Sequence, residues 1–271
     1  MRSEVGVIIK SGPLINLHTH TQLCQHATGV VDDYCHVAIQ HGLQVLGFSD
    51  HTPLPDDRWP SERMTMAELS LYDQLIEKAR VKYDELVVLK GMECEYFPEY
   101  HSFFEDELLG NLKFDYLIGA VHYFPHNGGW FSIFDDVMKG SVLDSYCRHF
   151  IDMLESGLFK LIAHPDIFGY TYPDWDKNCE ACARDILAAT AELDVALEIN
   201  GKGYSKPKLI TRKGSRYRYP WFKFWEIAAE YDITYSANSD AHKPADVNAN
   251  IDKSLKLADY YKLKPALFNF A

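Results

Sequence analysis

The stretch LINLHTHTQLCQH (residues 14–26) starts as a short apolar run and ends in three histidines, His18, His20 and His26. The same order, a few apolar residues and then a histidine or a carboxylate, recurs along the chain. Such runs are short and bounded by polar or turn residues, as expected for buried strands of a parallel sheet. Seven runs have this character: LINLH (14–18), QVLGFSD (44–50), LVVLKGME (86–93), FDYLIGAVH (114–122), KLIAH (160–164), VALEIN (195–200) and ITYSANSD (233–240).

Amphipathic stretches between these runs predict helices. The clearest are residues 32–42, 66–85, 142–157, 178–192 and 221–232, with Gly42 and Gly157 standing where helices end. Repeated strand–helix alternation predicts an α/β protein with a parallel sheet, and the length suits one closed barrel. An open, doubly wound sheet is the competing topology. No GxGxxG follows the first run, so nothing supports a dinucleotide site.

The composition is that of a soluble protein, with 271 residues, 47% of them hydrophobic and 24% charged, and predicts one domain over residues 1–271. No apolar run approaches the ~20 residues of a membrane span. The N-terminus MRSEVGVIIK lacks the pattern of a secretion signal, and the six scattered cysteines suit reduced thiols, so we expect a cytoplasmic protein without a membrane partner. The formal charge of −12 disfavours nucleic acid as a partner. An anionic substrate would need metal ions or a local basic patch.

Almost every predicted strand ends in a residue type that binds metals. The residues at these ends are His18, His20, Asp50, His51, Glu93, Glu95, His122, His164, Asp240 and His242. In a parallel barrel the carboxyl ends of the strands form one rim, where active sites lie. Imidazole and carboxylate together suit zinc, iron or manganese better than magnesium or calcium. The sequence therefore predicts a divalent metal centre at this rim.

Six motifs in this order resemble the signature of the PHP (polymerase and histidinol phosphatase) family. They are HTHTQLCQH (18–26), FSDH (48–51), GMECEY (91–96), AVHY (120–123), AHPD (163–166) and NSDAH (238–242). The resemblance runs from about residue 14 to 244 and is greatest to the monofunctional histidinol-phosphate phosphatases. It implies a distorted (β/α)7 TIM-like barrel with the metal site at the C-terminal ends of the strands, and up to three metal ions.

The resemblance also implies how the ligands divide. The first ion would be held by His18, His20, Glu93 and Asp240. The second would be held by His122 and His164, with Glu93 as the bridge. The third would be held by His26, His51 and His242. Gln25 stands where the family commonly has proline before the third histidine.

Two or three adjacent divalent ions (zinc, iron or manganese) lower the pKa of a bridging water and offset charge on phosphate oxygens. We therefore expect a small phosphorylated substrate, hydrolysed by attack of a metal-bridging hydroxide on phosphorus. The resemblance implies L-histidinol phosphate, which gives L-histidinol and phosphate in histidine biosynthesis. Asp50 and His242 are the candidate acids for the leaving group, and Asp50 is alternatively a residue that orients a ligand.

The loop GKGYSKPKLITRKGSRYRYP (201–220) is basic and has no acidic residue. It follows a predicted strand end, and related phosphatases clamp phosphate with a basic residue in this region. Arg216 and Arg218 alternate in SRYRYP, so both would face one side of an extended segment. We expect at least one of them to bind phosphate, because arginine suits bidentate phosphate contacts. Lys202 is the next candidate.

Other functions fit parts of this pattern. The same fold and metals suit another phosphomonoester, such as phosphotyrosine or a nucleotide. A polymerase-linked exonuclease is disfavoured by the charge of −12. A non-enzymatic metal-binding module is a further alternative, but nine ligands for three ions leave open coordination positions, as catalysis requires.

Overall fold

A computed structural model describes residues 7–134 and 137–270 of the chain. The strands are β1 (Val7–Lys10), β2 (Ile15–Asn16), β3 (Val45–Phe48), β4 (Val87–Glu95), β5 (Tyr116–Ala120), β6 (Tyr123–His126), β7 (Gly129–Ser132), β8 (Leu161–Ile162), β9 (Ala196–Asn200), β10 (Leu209–Thr211), β11 (Gly214–Arg216), β12 (Thr234–Asn238), β13 (Lys264–Pro265) and β14 (Leu267–Phe270). The α-helices are α1 (Val31–Gln40), α2 (Leu69–Lys82), α3 (Gly140–Glu155), α4 (Lys177–Leu193), α5 (Phe222–Ala228) and α6 (Ile251–Tyr261).

Eight strands form a parallel sheet in the order β13-β12-β9-β8-β5-β4-β3-β2. It contains a strand from each of the seven predicted runs, and the short β13 is added at one edge. The five predicted helices correspond to α1–α5, and both Gly42 and Gly157 end a helix with positive φ angles of 73° and 72°. The α/β barrel class is therefore confirmed. Sequence reasoning did not predict α6 or the antiparallel pairs β1–β14, β6–β7 and β10–β11.

The sheet curls until its first strand, β2, approaches β12. Thr19 and Ala241 form a parallel bridge just beyond the two strands. The amide of Leu17 donates to Oδ1 of Asn238 at 2.8 Å, and the amide of His20 donates to the carbonyl of Ala241 at 2.9 Å. These contacts bring the first and last rim segments side by side, so residues about 220 positions apart share one site.

The interior of the curled sheet changes from apolar to polar along the strands. At the amino ends, Ile9 and Phe268 from the β1–β14 pair pack with inward-facing residues such as Leu89. Along β4, Met92 and Cys94 face the outer core beneath the helices, so Glu93 and Glu95 face inward by alternation. The apolar end supports the barrel, and the polar end is left for the site.

Close packing in the interior depends on glycine at two neighbouring strand positions. A Cβ on Gly47 would stand 2.0 Å from the Tyr116 hydroxyl, and a Cβ on Gly91 would stand 2.4 Å from the Tyr116 ring. Its hydroxyl donates to the carbonyl of Leu17 at 2.6 Å, directly before the first rim histidine. A side chain at either glycine would displace this ring. No helix among the described residues is long and apolar enough to cross a membrane.

Candidate metal centre

The carboxyl ends of the parallel strands surround one cavity of about 210 Å³. Its lining contains acidic, basic and imidazole side chains together with three aromatic rings. The lining residues are His26, His51, Glu62, Arg63, Glu93, Glu95, His122, Tyr123, Phe134, His164, Ile167, Lys202, Lys206, Tyr219, Asp240 and His242. The convergence that strand direction predicts is thus present in the fold.

Glu93 lies at the centre of this cluster and is 2% exposed. Its Oε2 atom lies 3.2 Å from Nε2 of His18, 3.3 Å from Nε2 of His20 and 3.1 Å from Nδ1 of His51. Its Oε1 atom lies 3.1 Å from Nε2 of His164. The two carboxylate oxygens therefore face different sets of imidazoles, which is the arrangement that a bridging ligand needs.

The donor atoms fall into groups that are small enough to share an ion. His18, His20 and Asp240 place donors within 4.8 Å of one another, as do Glu93, His122 and His164. A third such group is His26, His51 and His242. The structure thus brings the nine residues named from the sequence together, although Glu93 shares a donor group with His122 and His164 and with His20 and His51, not with the His18–His20–Asp240 group. Two further overlapping groups are His20, His51 and Glu93, and His20, Cys24 and His242.

Several buried nitrogen and oxygen atoms of these groups have no hydrogen-bond partner in the described part of the chain, which indicates whether a cation would fit between them. Nε2 of His18, both ring nitrogens of His20, Nδ1 of His164 and Oδ1 of Asp240 are buried without a hydrogen-bond partner among the described residues. Buried polar atoms are ordinarily paired, so five unpaired ones in a single cluster call for a ligand. Nitrogen and carboxylate donors together suit zinc, iron or manganese, and the residues therefore fit divalent cations.

Opposed imidazoles give the same indication. Nε2 of His122 lies 3.1 Å from Nε2 of His164, and Nε2 of His242 lies 3.0 Å from Nε2 of His26. Two ring nitrogens at this distance form a hydrogen bond only if one carries a proton and the other presents a lone pair. A cation between two lone pairs would satisfy both rings at once.

The carboxylates of the cluster and the His26 ring have the charge states that metal binding needs, whereas neighbouring carboxylates raise the pKa of His18 and His122 despite their burial. Burial alone would raise the pKa of Glu93, but the imidazoles of His18 and His51 hold it well below its usual value. Burial likewise opposes ionisation of Asp240, whose pKa is held low by Lys202 and His18. Burial lowers the pKa of His26 to about 4. Ionised carboxylates and neutral imidazoles are the forms that bind a metal ion.

Two further carboxylates orient the histidines, and one of them was missed from the sequence. Nδ1 of His18 donates to Oε1 of Glu198 at 2.8 Å, and the amide of His164 donates to Oε2 at 3.1 Å. Glu95 accepts the amide of His122 at 3.0 Å and also contacts its Nδ1 atom. Such contacts fix which ring nitrogen faces the ion. The available signal for Glu198 was one carboxylate inside the apolar run VALEIN.

Asp50 and His242, the two candidate acids, occupy different positions. Asp50 is fully buried and does not line the cavity. Its Oδ1 atom accepts the amide of Thr21 at 2.8 Å and the Thr21 hydroxyl at 3.1 Å. Asp50 therefore holds the loop between His20 and His26, which favours the orienting alternative over direct proton donation. His242 lines the cavity.

The candidate phosphate-binding residues of the basic loop also differ in whether they line the cavity. Lys202 lines the cavity, and its Nζ lies 2.7 Å and 2.8 Å from the two ring nitrogens of His242 and 3.7 Å from Oδ1 of Asp240. Arg216 and Arg218 do not line the cavity.

The two arginines donate instead to backbone carbonyls. Arg216 donates to Gly169 at 2.9 Å and to Tyr172, while Arg218 donates to Pro207 at 3.0 Å and to Tyr170. The expectation that they face the cleft is therefore corrected. The Nη donors of Arg216 are occupied by the 169–172 segment and by the loop itself, while its Nε is buried without a hydrogen-bond partner among the described residues.

Comparison with known proteins gives the class to which this fold and site belong. The family model described as "PHP domain" matches residues 16–202, more than half of the chain. The chain belongs to the PHP domain family.

Within this family, the chain is similar to proteins that are named histidinol phosphatases. A protein of Deinococcus radiodurans named "probable histidinol-phosphatase" is 31% identical, over 90% of this chain and 92% of its own length. A protein of Schizosaccharomyces pombe with the same name is 27% identical, over 87% and 83%. Among solved structures, histidinol phosphate phosphatase from Lactococcus lactis, complexed with zinc, L-histidinol and phosphate, has a TM-score of 0.72 at 17% identity. It covers 94% of this chain and 99% of its own, and it shows the shared fold.

Proposed function

We propose that this chain is a metal-dependent phosphoric monoester hydrolase that converts L-histidinol phosphate to L-histidinol and phosphate. The observation that carries the proposal is the cavity in which Glu93 contacts four imidazoles while Lys202 supplies positive charge. Support for the phosphatase class comes from the family match and from two relatives named histidinol-phosphatases. Histidine biosynthesis would be the corresponding pathway.

The ligands are assigned by the donor groups of the cavity. We assign His18, His20, Glu93 and Asp240 to one divalent ion, Glu93, His122 and His164 to a second, and His26, His51 and His242 to a third. When bound, such ions would supply a water of lowered pKa and neutralise phosphate oxygens. Glu198 and Glu95 hold the rings of His18 and His122 in the orientation that this binding requires.

The remaining polar groups handle the substrate. Lys202 is assigned to the phosphate dianion, because its ammonium group contacts His242 and lies 3.7 Å from Asp240, and Lys206 of the same loop also lines the cavity. His242 lines the cavity and Asp50 does not, so His242 is retained as the candidate acid for the leaving alkoxide, as the alternative to its role as a ligand of the third ion. Asp50 is assigned the positioning of Thr21 instead.

The test combines metal analysis with a panel of phosphorylated substrates. The purified protein is assayed for bound zinc, iron and manganese, and then with L-histidinol phosphate, phosphotyrosine, a nucleoside monophosphate and a single-stranded oligonucleotide. We expect bound divalent metal and the highest kcat/KM for L-histidinol phosphate. Faster hydrolysis of phosphotyrosine or of the nucleotide would retain the class and replace the substrate. Faster cleavage of the oligonucleotide would contradict the monoesterase assignment.

A further inference from the structure

Arg63 is a cavity residue that the basic loop does not explain. It lies in the irregular segment after β3 and is 2% exposed, yet it lines the cavity beside Glu62. Its Nη1 atom donates to the carbonyl of Thr52 at 3.0 Å. Its Nε atom is buried without a hydrogen-bond partner among the described residues. No carboxylate of the described chain forms an ion pair with it within 4.0 Å.

Burial makes this guanidinium expensive to leave unpaired. Arginine carries five N–H donors and keeps its charge in proteins, so it cannot avoid the cost of desolvation by losing a proton. Burial lowers the pKa of Arg63, and the more distant carboxylate of Glu95 opposes that shift. Glu95 is itself occupied by His122. Arg63 thus has donors to spare at the wall of the cavity.

Arg58, five residues earlier in the same segment, is the natural contrast. Its Nε donates to Asp56 at 2.6 Å, and its Nη2 lies 3.6 Å from Glu99 and 3.0 Å from the Tyr100 hydroxyl. It does not line the cavity. The same segment therefore holds Arg58, which has carboxylate counter-ions, and Arg63, which has none within 4.0 Å among the described residues.

We propose that Arg63 is an anion-binding residue that takes the phosphoryl oxygens of the substrate and of the phosphate product. A guanidinium fork matches two oxygens of a phosphate and is less strongly hydrated than an ammonium, so it suits a buried position better than lysine does. The identity of the anion rests on the proposed function, whereas the presence of an anion site rests on the buried guanidinium, which faces the cavity beside the Trp59 ring with an unpaired Nε and no ion-pair partner among the described residues.

The test measures inorganic phosphate as a competitive inhibitor of the metal-loaded enzyme. Arg63→Met keeps length and removes the charge, Arg63→Lys keeps the charge and removes the fork, and Arg58→Met is the control outside the cavity. We expect Arg63→Met to raise both the Ki of phosphate and the KM of the substrate by ~10- to 100-fold, because a charged hydrogen bond is lost. Arg63→Lys should fall between it and the wild type, and Arg58→Met should stay within about twofold.

Direct binding separates this proposal from the proposed function. If the wild-type protein hydrolyses no phosphomonoester, titration calorimetry of the metal-loaded protein with inorganic phosphate still reports on Arg63. Bound metal per chain should be equal in all variants, because Arg63 is not a ligand. Unchanged phosphate affinity in folded, metal-loaded Arg63→Met would overturn the proposal. If that variant does not fold, unchanged affinity in Arg63→Gln, which also removes the charge but keeps a polar side chain, would overturn it as well.

Discussion

The histidine–carboxylate cluster at the strand ends and the basic loop at residues 201–220 were both assigned to the site from sequence, yet the fold uses them differently. In the cluster, all nine expected ligands lie in shared donor groups. In the basic loop, Lys202 reaches the cavity, while Arg216 and Arg218 bind backbone carbonyls of a neighbouring segment. Strand direction fixes where the first set points. The second set lies mostly in a loop, where any carbonyl within reach competes with a substrate.

The largest effect should come from the centre of the cluster. Glu93→Gln should lower kcat by at least about a thousandfold and reduce bound metal, because a carboxamide does not bridge two cations as a carboxylate does. Metal analysis and steady-state kinetics measure both quantities. The control is Glu85→Gln, an exposed position just before the same strand. A full metal complement with normal turnover in Glu93→Gln would break the assignment of this cluster.

A smaller effect should come from the carboxylate behind the ligands. Glu198→Gln should weaken metal binding by about 10- to 100-fold, because Glu198 fixes the ring of His18 and the amide of His164. Competition with a chelator measures the metal affinity, and saturating metal should restore much of kcat. The exposed Glu192→Gln on α4 serves as the control. Equal metal affinity in the two variants would show that Glu198 only supports the fold.

The basic loop itself offers a matched pair. Lys202→Met should raise KM by about tenfold or more through loss of a charged contact to phosphate. Arg216→Met should leave kcat/KM within about twofold but lower the free energy of unfolding by about 1.5–3 kcal/mol, because several carbonyls lose their donor. Kinetics and urea unfolding distinguish the two. An equal increase in KM in Lys202→Met and Arg216→Met would indicate that Arg216 binds the substrate.

The smallest effect concerns a histidine outside the cluster. His149 on α3 is buried beside Phe97, and burial lowers its pKa. The unfolded chain therefore binds a proton at His149 before the folded chain does, so stability falls as pH drops below about 6.5. His149→Phe should reduce this fall in urea unfolding between pH 7 and 5, relative to exposed His41→Phe. An identical pH dependence in both variants would contradict the shift.

The helical histidines show how far sequence reasoning extends. His36, His41 and His149 lie in predicted helices, and the sequence assigns them to the surface or to packing rather than to the metal site. His36 and His41 are exposed and His149 is buried, and none belongs to a donor group. The helical period separates them from the strand ends, but it does not say which of them is buried. That depends on Phe97, which reaches His149 from another element.

The sequence by itself determined the parallel sheet and the rim on which the candidate ligands converge, because short apolar runs ending in histidine or carboxylate encode both strand direction and side-chain type. Only the tertiary structure decided the roles of Arg216, Arg63 and Glu198. Arg216 meets the carbonyls of Gly169 and Tyr172, Glu198 meets two rim histidines, and Arg63 meets the carbonyl of Thr52 and the Trp59 ring. Those partners are far away in the chain or lie in irregular segments without periodicity. A side chain's role follows from which donors and acceptors surround it once the chain is folded.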